Sequence, residues 1–131
     1  MTTPDSSAFA HRIRVRYCET DRMSVAHHGS YVAWFEEART EWMRSRGKTY
    51  RDMEDAGFLL QIVDMQIRYL RPIDYDDEIL IHVSVKERAK ASFTLAYEVR
   101  RADDGGLTTT GSTKLACMGK DGRPKRLPAE L

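Results

Sequence analysis

Apolar and polar positions change period twice along this chain. From 11 to 17 they alternate, with Ile13, Val15 and Tyr17 on one side and Arg12, Arg14 and Arg16 on the other. That is the pattern of a half-buried strand with a basic outer face. From Ser30 the period lengthens: Tyr31, Trp34, Phe35, Ala38 and Trp42 fall at i, i+3, i+4, i+7 and i+11, one apolar stripe along a helix. Ser30 is the expected N-cap and Gly47 the C′ stop, which gives a helix roughly 24 Å long. Thr49 and Gly57 bracket a second, short helix over 50–56.

Beyond Phe58 strict alternation returns. Val63, Met65, Ile67 and Tyr69 form one apolar face, Ile79, Ile81, Val83 and Val85 a second, and Phe93, Leu95, Tyr97 and Val99 a third. Asp103-Asp104-Gly105-Gly106 is a hairpin signal leading into a last strand over 107–118, and Lys120-Asp121-Gly122-Arg123-Pro124 is a further turn. The order strand, long helix, short helix, four strands predicts an α+β fold. Sequential hairpins make an antiparallel sheet, and a lone aromatic helix must bury its stripe against that sheet. The expectation is a curved five-stranded antiparallel sheet wrapped around one long central helix. Residues 1–10 read as a flexible tail and 11–131 as a single domain.

The composition narrows the function. The 131 residues carry 21 Lys+Arg against 20 Asp+Glu, so no net field favours nucleic acid or an anionic membrane. No apolar run approaches the ~20 residues of a membrane span. The first residues lack a basic, apolar secretion signal, and Cys18 and Cys117 lack CxxC spacing, so a cytoplasmic protein with free thiols is expected. Met23, Met43, Met53 and Met65 read as core packing.

Candidate chemistry concentrates between Tyr17 and Tyr31. Glu19, Asp21, His27 and His28 lie between a strand and a helix N-terminus, where free N–H groups and the positive end of the helix dipole stabilise charge developing on a carbonyl oxygen. A carboxylate there can serve as base or nucleophile and a histidine can move a proton. The plain alternative is that Asp21 caps the loop and the two histidines are half-exposed and inert. No HxxxH, HxH or CxxC pair suggests a metal site, and no cofactor is expected.

Asp21, with His28 seven and Tyr31 ten positions on, then Trp34-Phe35-Glu36-Glu37-Ala38-Arg39, resembles the pattern of hotdog-fold acyl-CoA thioesterases. The similar branch is that of 4-hydroxybenzoyl-CoA thioesterase and the Tol–Pal-associated thioesterases. The resemblance continues through Arg68-Tyr69-Leu70-Arg71-Pro72, Tyr75-Asp76-Asp77-Glu78, Phe93-Thr94-Leu95-Ala96-Tyr97-Glu98, Thr110-Gly111-Ser112-Thr113 and Gly122-Arg123-Pro124, covering about 11–128. It implies Asp21 as nucleophile or general base and His28 as the residue whose N–H polarises the thioester carbonyl. It also implies Tyr31 beside the acyl group, with Gln61, Ile62 and Val63 lining the acyl pocket from a partner chain. Glu19 matches a frequently acidic position, a helper or a solvated residue. The turn carrying Arg88, Lys90 and Ser92 matches one that contacts coenzyme A phosphates, while Lys114, Lys120, Arg123, Lys125 and Arg126 form a second basic cluster.

The resemblance also has departures. Relatives usually carry Gly where Ser24 stands, Val where Ala26 stands, and Ser-Asn or Ala-Asn at Gly29-Ser30. Gly29 is expected to restore the backbone freedom that Ser24 lacks. The implied activity is hydrolysis of a small or medium acyl-CoA by a homodimer or homotetramer whose sheet edges pair. Two alternatives are a hydratase or dehydratase of the same fold, disfavoured by the seven-residue Asp–His offset, and an acyl-CoA binding module without turnover.

Overall fold

The computed structural model describes residues 9–21, 23, 25–129 and 131. Strands β1 (Phe9–Arg14), β2 (Leu59–Tyr69), β3 (Glu78–Arg88), β4 (Ser92–Arg101) and β5 (Leu107–Met118) make one antiparallel sheet in the order β1-β3-β4-β5-β2. Helices α1 (His28–Ser45) and α2 (Tyr50–Asp55) lie between β1 and β2 in the chain. The β3–β4 and β4–β5 hairpins are those the turn residues predict. The β2–β3 connection is not a hairpin, however. β2 pairs with β5 from Leu59 opposite Met118 to Tyr69 opposite Thr109, which puts it at the edge opposite β1. Residues 70–77 therefore cross from one side of the sheet to the other.

β1 begins at Phe9, paired with Val83, so two residues assigned to the tail belong to the sheet. It also ends early. Val15 stays buried, but Tyr17 turns outward, 78% exposed, as the first residue of a 3-10 turn, Tyr17–Glu19. The outer arginines of β1 are paired with the neighbouring strand, Arg12 reaching Glu78 at 2.6 Å and Arg14 reaching Glu78 and Asp76 at 3.5 Å.

The α1 stripe is buried as its spacing predicts, with Tyr31, Trp34, Phe35, Ala38 and Trp42 all within the core. Phe35 stacks on Tyr97 of β4, centroids 4.3 Å apart and planes 4° apart. Gly111 of β5 makes room for it: a Cβ there would come within 2.5 Å of the Phe35 ring. Truncating an aromatic in such a position costs about 3–5 kcal/mol. The helix starts three residues earlier than expected, with extended His27 as N-cap, and the Ser30 hydroxyl donates to the Glu19 carbonyl from within its first turn. Gly47 (φ 79°) and Gly57 (φ 91°) follow the two helices in the left-handed conformation that glycine adopts without cost. Thr49 caps α2, its hydroxyl accepting from the Asp52 N–H at 3.0 Å.

Among these apolar neighbours Arg39 is also buried. Its Nε donates to the Tyr50 hydroxyl at 2.7 Å and its guanidinium to the Tyr97 hydroxyl at 3.3 Å, while Tyr97 and Thr113 share a hydrogen bond of 2.7 Å. One side chain thus ties α1 to α2 and to β4.

β4 matches its alternation throughout, with Phe93, Leu95, Tyr97 and Val99 buried. β2 does not. Its register shifts between Ile62 and Asp64, and as an outer strand it leaves Val63 and Tyr69 exposed while Met65 and Ile67 are half-buried. Met43 and Met53 are core residues as expected, whereas Met23 is 82% exposed on a loop. Among the described residues no helix is long and apolar enough to cross a membrane.

Candidate active site

Between the end of β1 and the start of α1 the chain folds into a small two-stranded ladder. His27 N–H donates to Glu19 O at 3.1 Å, Thr20 bridges to Ala26, and Asp21 N–H donates to Val25 O at 2.9 Å. Asp21 stands at the turn. Its Oδ1 accepts from the Met23 N–H at 2.9 Å and the Val25 N–H at 3.4 Å, an Asx-type turn. Its Oδ2 has no partner among the described residues. One oxygen therefore anchors the carboxylate of an exposed residue.

The other arm of the ladder enters α1. His27 caps it, Ser30 N–H donates to His27 O at 3.0 Å, and His28 is the first helical residue. The first N–H groups of a helix have no acceptor within it and sit at the positive end of its dipole. Asp21 and His28 thus belong to one hairpin. In the register set by the Thr20–Ala26 bridge the position level with His28 is Cys18, which lies in the 3-10 turn three residues before Asp21. A carboxylate and a helix N-terminus on one hairpin are the two kinds of group that act on a reacting carbonyl.

The crossing segment supports this hairpin from beneath. Ala26 N–H donates to Ile73 O at 2.7 Å, Val25 bridges to Asp74, and Ile73 is fully buried. Arg101 of β4 holds the segment in turn, donating to Asp77 at 2.9 Å and to Pro72 O at 3.2 Å. Asp77 also accepts from the Asp74 N–H at 2.8 Å.

Aromatic rings wall the helix end. The His28 imidazole lies on Tyr69 of β2, and Tyr31 meets Tyr69 edge-on at 5.0 Å and Trp34 at 4.9 Å. Tyr31 is itself buried, so its ring packs within the core and only borders the site. Burial pushes its hydroxyl pKa up, with a hydrogen bond involving Thr109 acting the other way.

Gln61, Ile62 and Val63 are exposed on β2 and do not join Asp21 within this chain. Counting 3.3 Å per residue, they stand roughly 20–26 Å along the strand from Tyr69. They lie on the unpaired edge of the sheet instead. Arg88 and Lys90 line a groove of about 420 Å³ together with Arg126, Leu127, Pro128 and Ala129. Ser92 does not line it; its carbonyl accepts from the Ala89 N–H at 2.8 Å and closes the turn. The Leu127 N–H donates to Lys90 O at 2.9 Å, which brings Arg126 to this turn. Lys120, Arg123 and Lys125 border a second groove, of about 520 Å³, where Lys125 also donates to Gly57 O and sits 4.2 Å above the Phe58 ring. Gly29 does not have a positive φ; it lies in the first turn of α1. Ser24 lies outside the described residues. Among them no cluster of three or more His, Cys, Asp or Glu side chains forms a metal site.

Sequence reasoning named two contributors without their setting: Arg126 was grouped with a separate basic cluster, and Glu19 was left between a helper and a solvated residue. Arg126 sits 36 positions after Lys90, and only the tertiary fold joins them. Glu19 is a buried carboxylate with three donors: Arg16 N–H at 2.7 Å, Trp34 Nε1 at 2.9 Å and the Arg16 guanidinium at 3.2 Å. Its position three residues after Arg16 was the available signal, since a capping-box spacing turns the carboxylate back on its own chain.

Comparison with known proteins bears on the whole chain. The Thioesterase-like superfamily profile matches residues 15–131. A DHNA-CoA thioesterase structure from Staphylococcus aureus is 35% identical, with a TM-score of 0.86, covering 92% of this chain and 80% of that one. An Aquifex aeolicus crystal structure is 33% identical with a TM-score of 0.87, covering 93% and 94% of the two chains. The acyl-CoA thioesterase YbgC of Haemophilus influenzae is 28% identical over 128 residues, 95% of this chain and 92% of its own.

Proposed function

From the premise that this chain belongs to the Thioesterase-like superfamily, with the five-stranded sheet and helix of the hotdog thioesterase fold, we propose that it hydrolyses the thioester bond of a small or medium acyl-CoA. Water and the ester give a free acid and the thiol of coenzyme A. The observation that carries the reading is the state of Asp21: an exposed carboxylate anchored by two N–H groups through one oxygen, with the other oxygen open, on the hairpin that leads into α1.

In this reading the open oxygen attacks the thioester carbonyl or draws a proton from the attacking water. The carbonyl oxygen gathers negative charge as the bond forms, and the N–H of His28 at the helix start stabilises it. The imidazole of His28 stands beside that position and can assist proton transfer. Tyr69, backed by the buried ring of Tyr31, supplies an aromatic wall for the acyl group.

Coenzyme A carries phosphates, and the groove between the β3–β4 turn and the C-terminal segment offers Arg88, Lys90 and Arg126 to them. The unpaired edge of β2 supports a homodimer or a dimer of dimers. Two β2 strands pairing antiparallel across it would bring Gln61, Ile62 and Val63 of one copy to the Tyr69 end of the other. A fully active monomer in sedimentation would contradict that arrangement. Cys18 and Cys117 are both free, in keeping with a cytoplasmic setting.

The test is thiol release from short aliphatic, branched and aromatic acyl-CoAs, with wild type beside Asp21→Asn. Release that falls about 10²–10⁴-fold in a folded Asp21→Asn variant supports the reading. Full activity in that variant removes Asp21 from the mechanism.

A further inference from the structure

Glu19 makes no use of its charge at the surface. Its carboxylate is buried, and both of its oxygens accept hydrogen bonds, from two directions: Arg16 on its own turn and the Trp34 indole on the second turn of α1. Its main-chain carbonyl is equally committed, taking the His27 N–H at 3.1 Å and the Ser30 hydroxyl at 2.9 Å. Both ends of this residue thus bind α1, through its body by the side chain and through its first turn by the backbone. Asp21 is two residues further along the same ladder.

We propose that Glu19 is a positioning residue for hydrolysis, a latch that fixes the Asp21 turn relative to the N-terminus of α1. The inference rests on the assignment of Asp21 and the α1 N-terminus as the reacting groups. A carboxylate and an N–H donor that act on one carbonyl must hold their separation to a fraction of an ångström. Nothing else on the Tyr17–His27 stretch reaches the body of α1 with a charged side chain among the described residues. A neutral amide at 19 cannot replace the carboxylate, because its NH₂ group would face either the Arg16 N–H or the Trp34 N–H, donor against donor.

The test is steady-state thioester hydrolysis by Glu19→Gln, Trp34→Phe, the double variant and Asp21→Asn, each with a melting curve. The expected result is that folded Glu19→Gln loses kcat roughly ten- to a hundredfold while KM stays within about twofold. Trp34→Phe, which removes the indole donor but keeps a ring, loses kcat by less. The double variant falls no further than Glu19→Gln, since both changes release one latch. Wild-type kcat in Glu19→Gln, a loss expressed only in KM, or independent losses that multiply in the double variant would overturn the proposal. Should Glu19→Gln fail to fold, Trp34→Phe decides alone, and an unchanged kcat there overturns it. An inactive Asp21→Asn beside a fully active Glu19→Gln defeats the latch only; a fully active Asp21→Asn defeats the assignment beneath it.

Discussion

The imidazole of His28 lies nearly flat on the phenol ring of Tyr69, ring centroids 4.7 Å apart and planes inclined by 21°. The contact joins the first residue of α1 to the last residue of an outer strand, so the helix end is buttressed by the far edge of the sheet. Aromatic pairs of this kind contribute about 0.5–1.5 kcal/mol.

Tyr69→Ala removes that shelf and the edge-on contact with Tyr31. The expected outcome is a fall in kcat/KM of roughly two- to tenfold. Esters with flat acyl groups lose the most, because they would stack on the same wall. Kinetics on one aliphatic and one aromatic ester, compared between variant and wild type, check this.

Acid stability follows from Glu19. Burial alone would raise its pKa, but the Arg16 N–H, the Trp34 indole and the Arg16 guanidinium outweigh it and hold the carboxyl below its ordinary value. The unfolded chain then binds the proton first, at about pH 4.3. The contribution of this group to stability is therefore complete above that range and disappears as pH falls through the folded value. Melting temperatures measured between about pH 3 and pH 7 should drop more steeply at the acid end in wild type than in Glu19→Gln.

Tyr97→Phe tests the interior. The hydroxyl accepts from buried Arg39 and shares a hydrogen bond with Thr113, and burial pushes its pKa up, so it stays protonated. Its removal leaves a buried guanidinium with one acceptor fewer. The expected cost is about 1–3 kcal/mol, read in denaturant unfolding, with kcat little changed because the group is remote from Asp21.

The groove cations have a separate signature. Arg126→Ala should raise KM for acyl-CoA esters about two- to fivefold, the scale of one exposed charge contact. The effect should shrink at high salt and vanish for acyl-pantetheine esters, which lack the nucleotide phosphates. Equal KM changes for both ester types would remove Arg126 from phosphate binding.

Local order was readable along the chain wherever neighbours decide structure. The alternation of Phe93, Leu95, Tyr97 and Val99 located β4, the stripe from Tyr31 to Trp42 located α1, and Gly47, Thr49 and Gly57 located helix ends. Asp21 and His28 were readable as a candidate pair because both fall at the approach to the helix start. What escaped depends on contacts between distant segments. The place of β2 beside β5 follows from register with residues some 50 positions away, and the turn residues near Pro72 do not encode it. The helix entry at His27 is held by its N–H bond to the carbonyl of Glu19, eight residues earlier, a contact that spacing along the chain does not announce. Met23 has the composition of a core residue and the exposure of a loop tip, since no rule of period applies within a turn.

The segment over 70–77 gives the hairpin that carries Asp21 an unusual dependence. The Ala26 N–H that it binds through Ile73 O is a reporter shared by two parts of the chain some 50 residues apart. In amide hydrogen exchange that proton can be released only when the hairpin and the crossing segment part company. Slow exchange at Ala26, matched by slow exchange at buried neighbours in the core, would mark the hairpin and the sheet as one cooperative unit. Asp21 and His28 would then be carried by a part of the molecule that opens only when the fold itself opens.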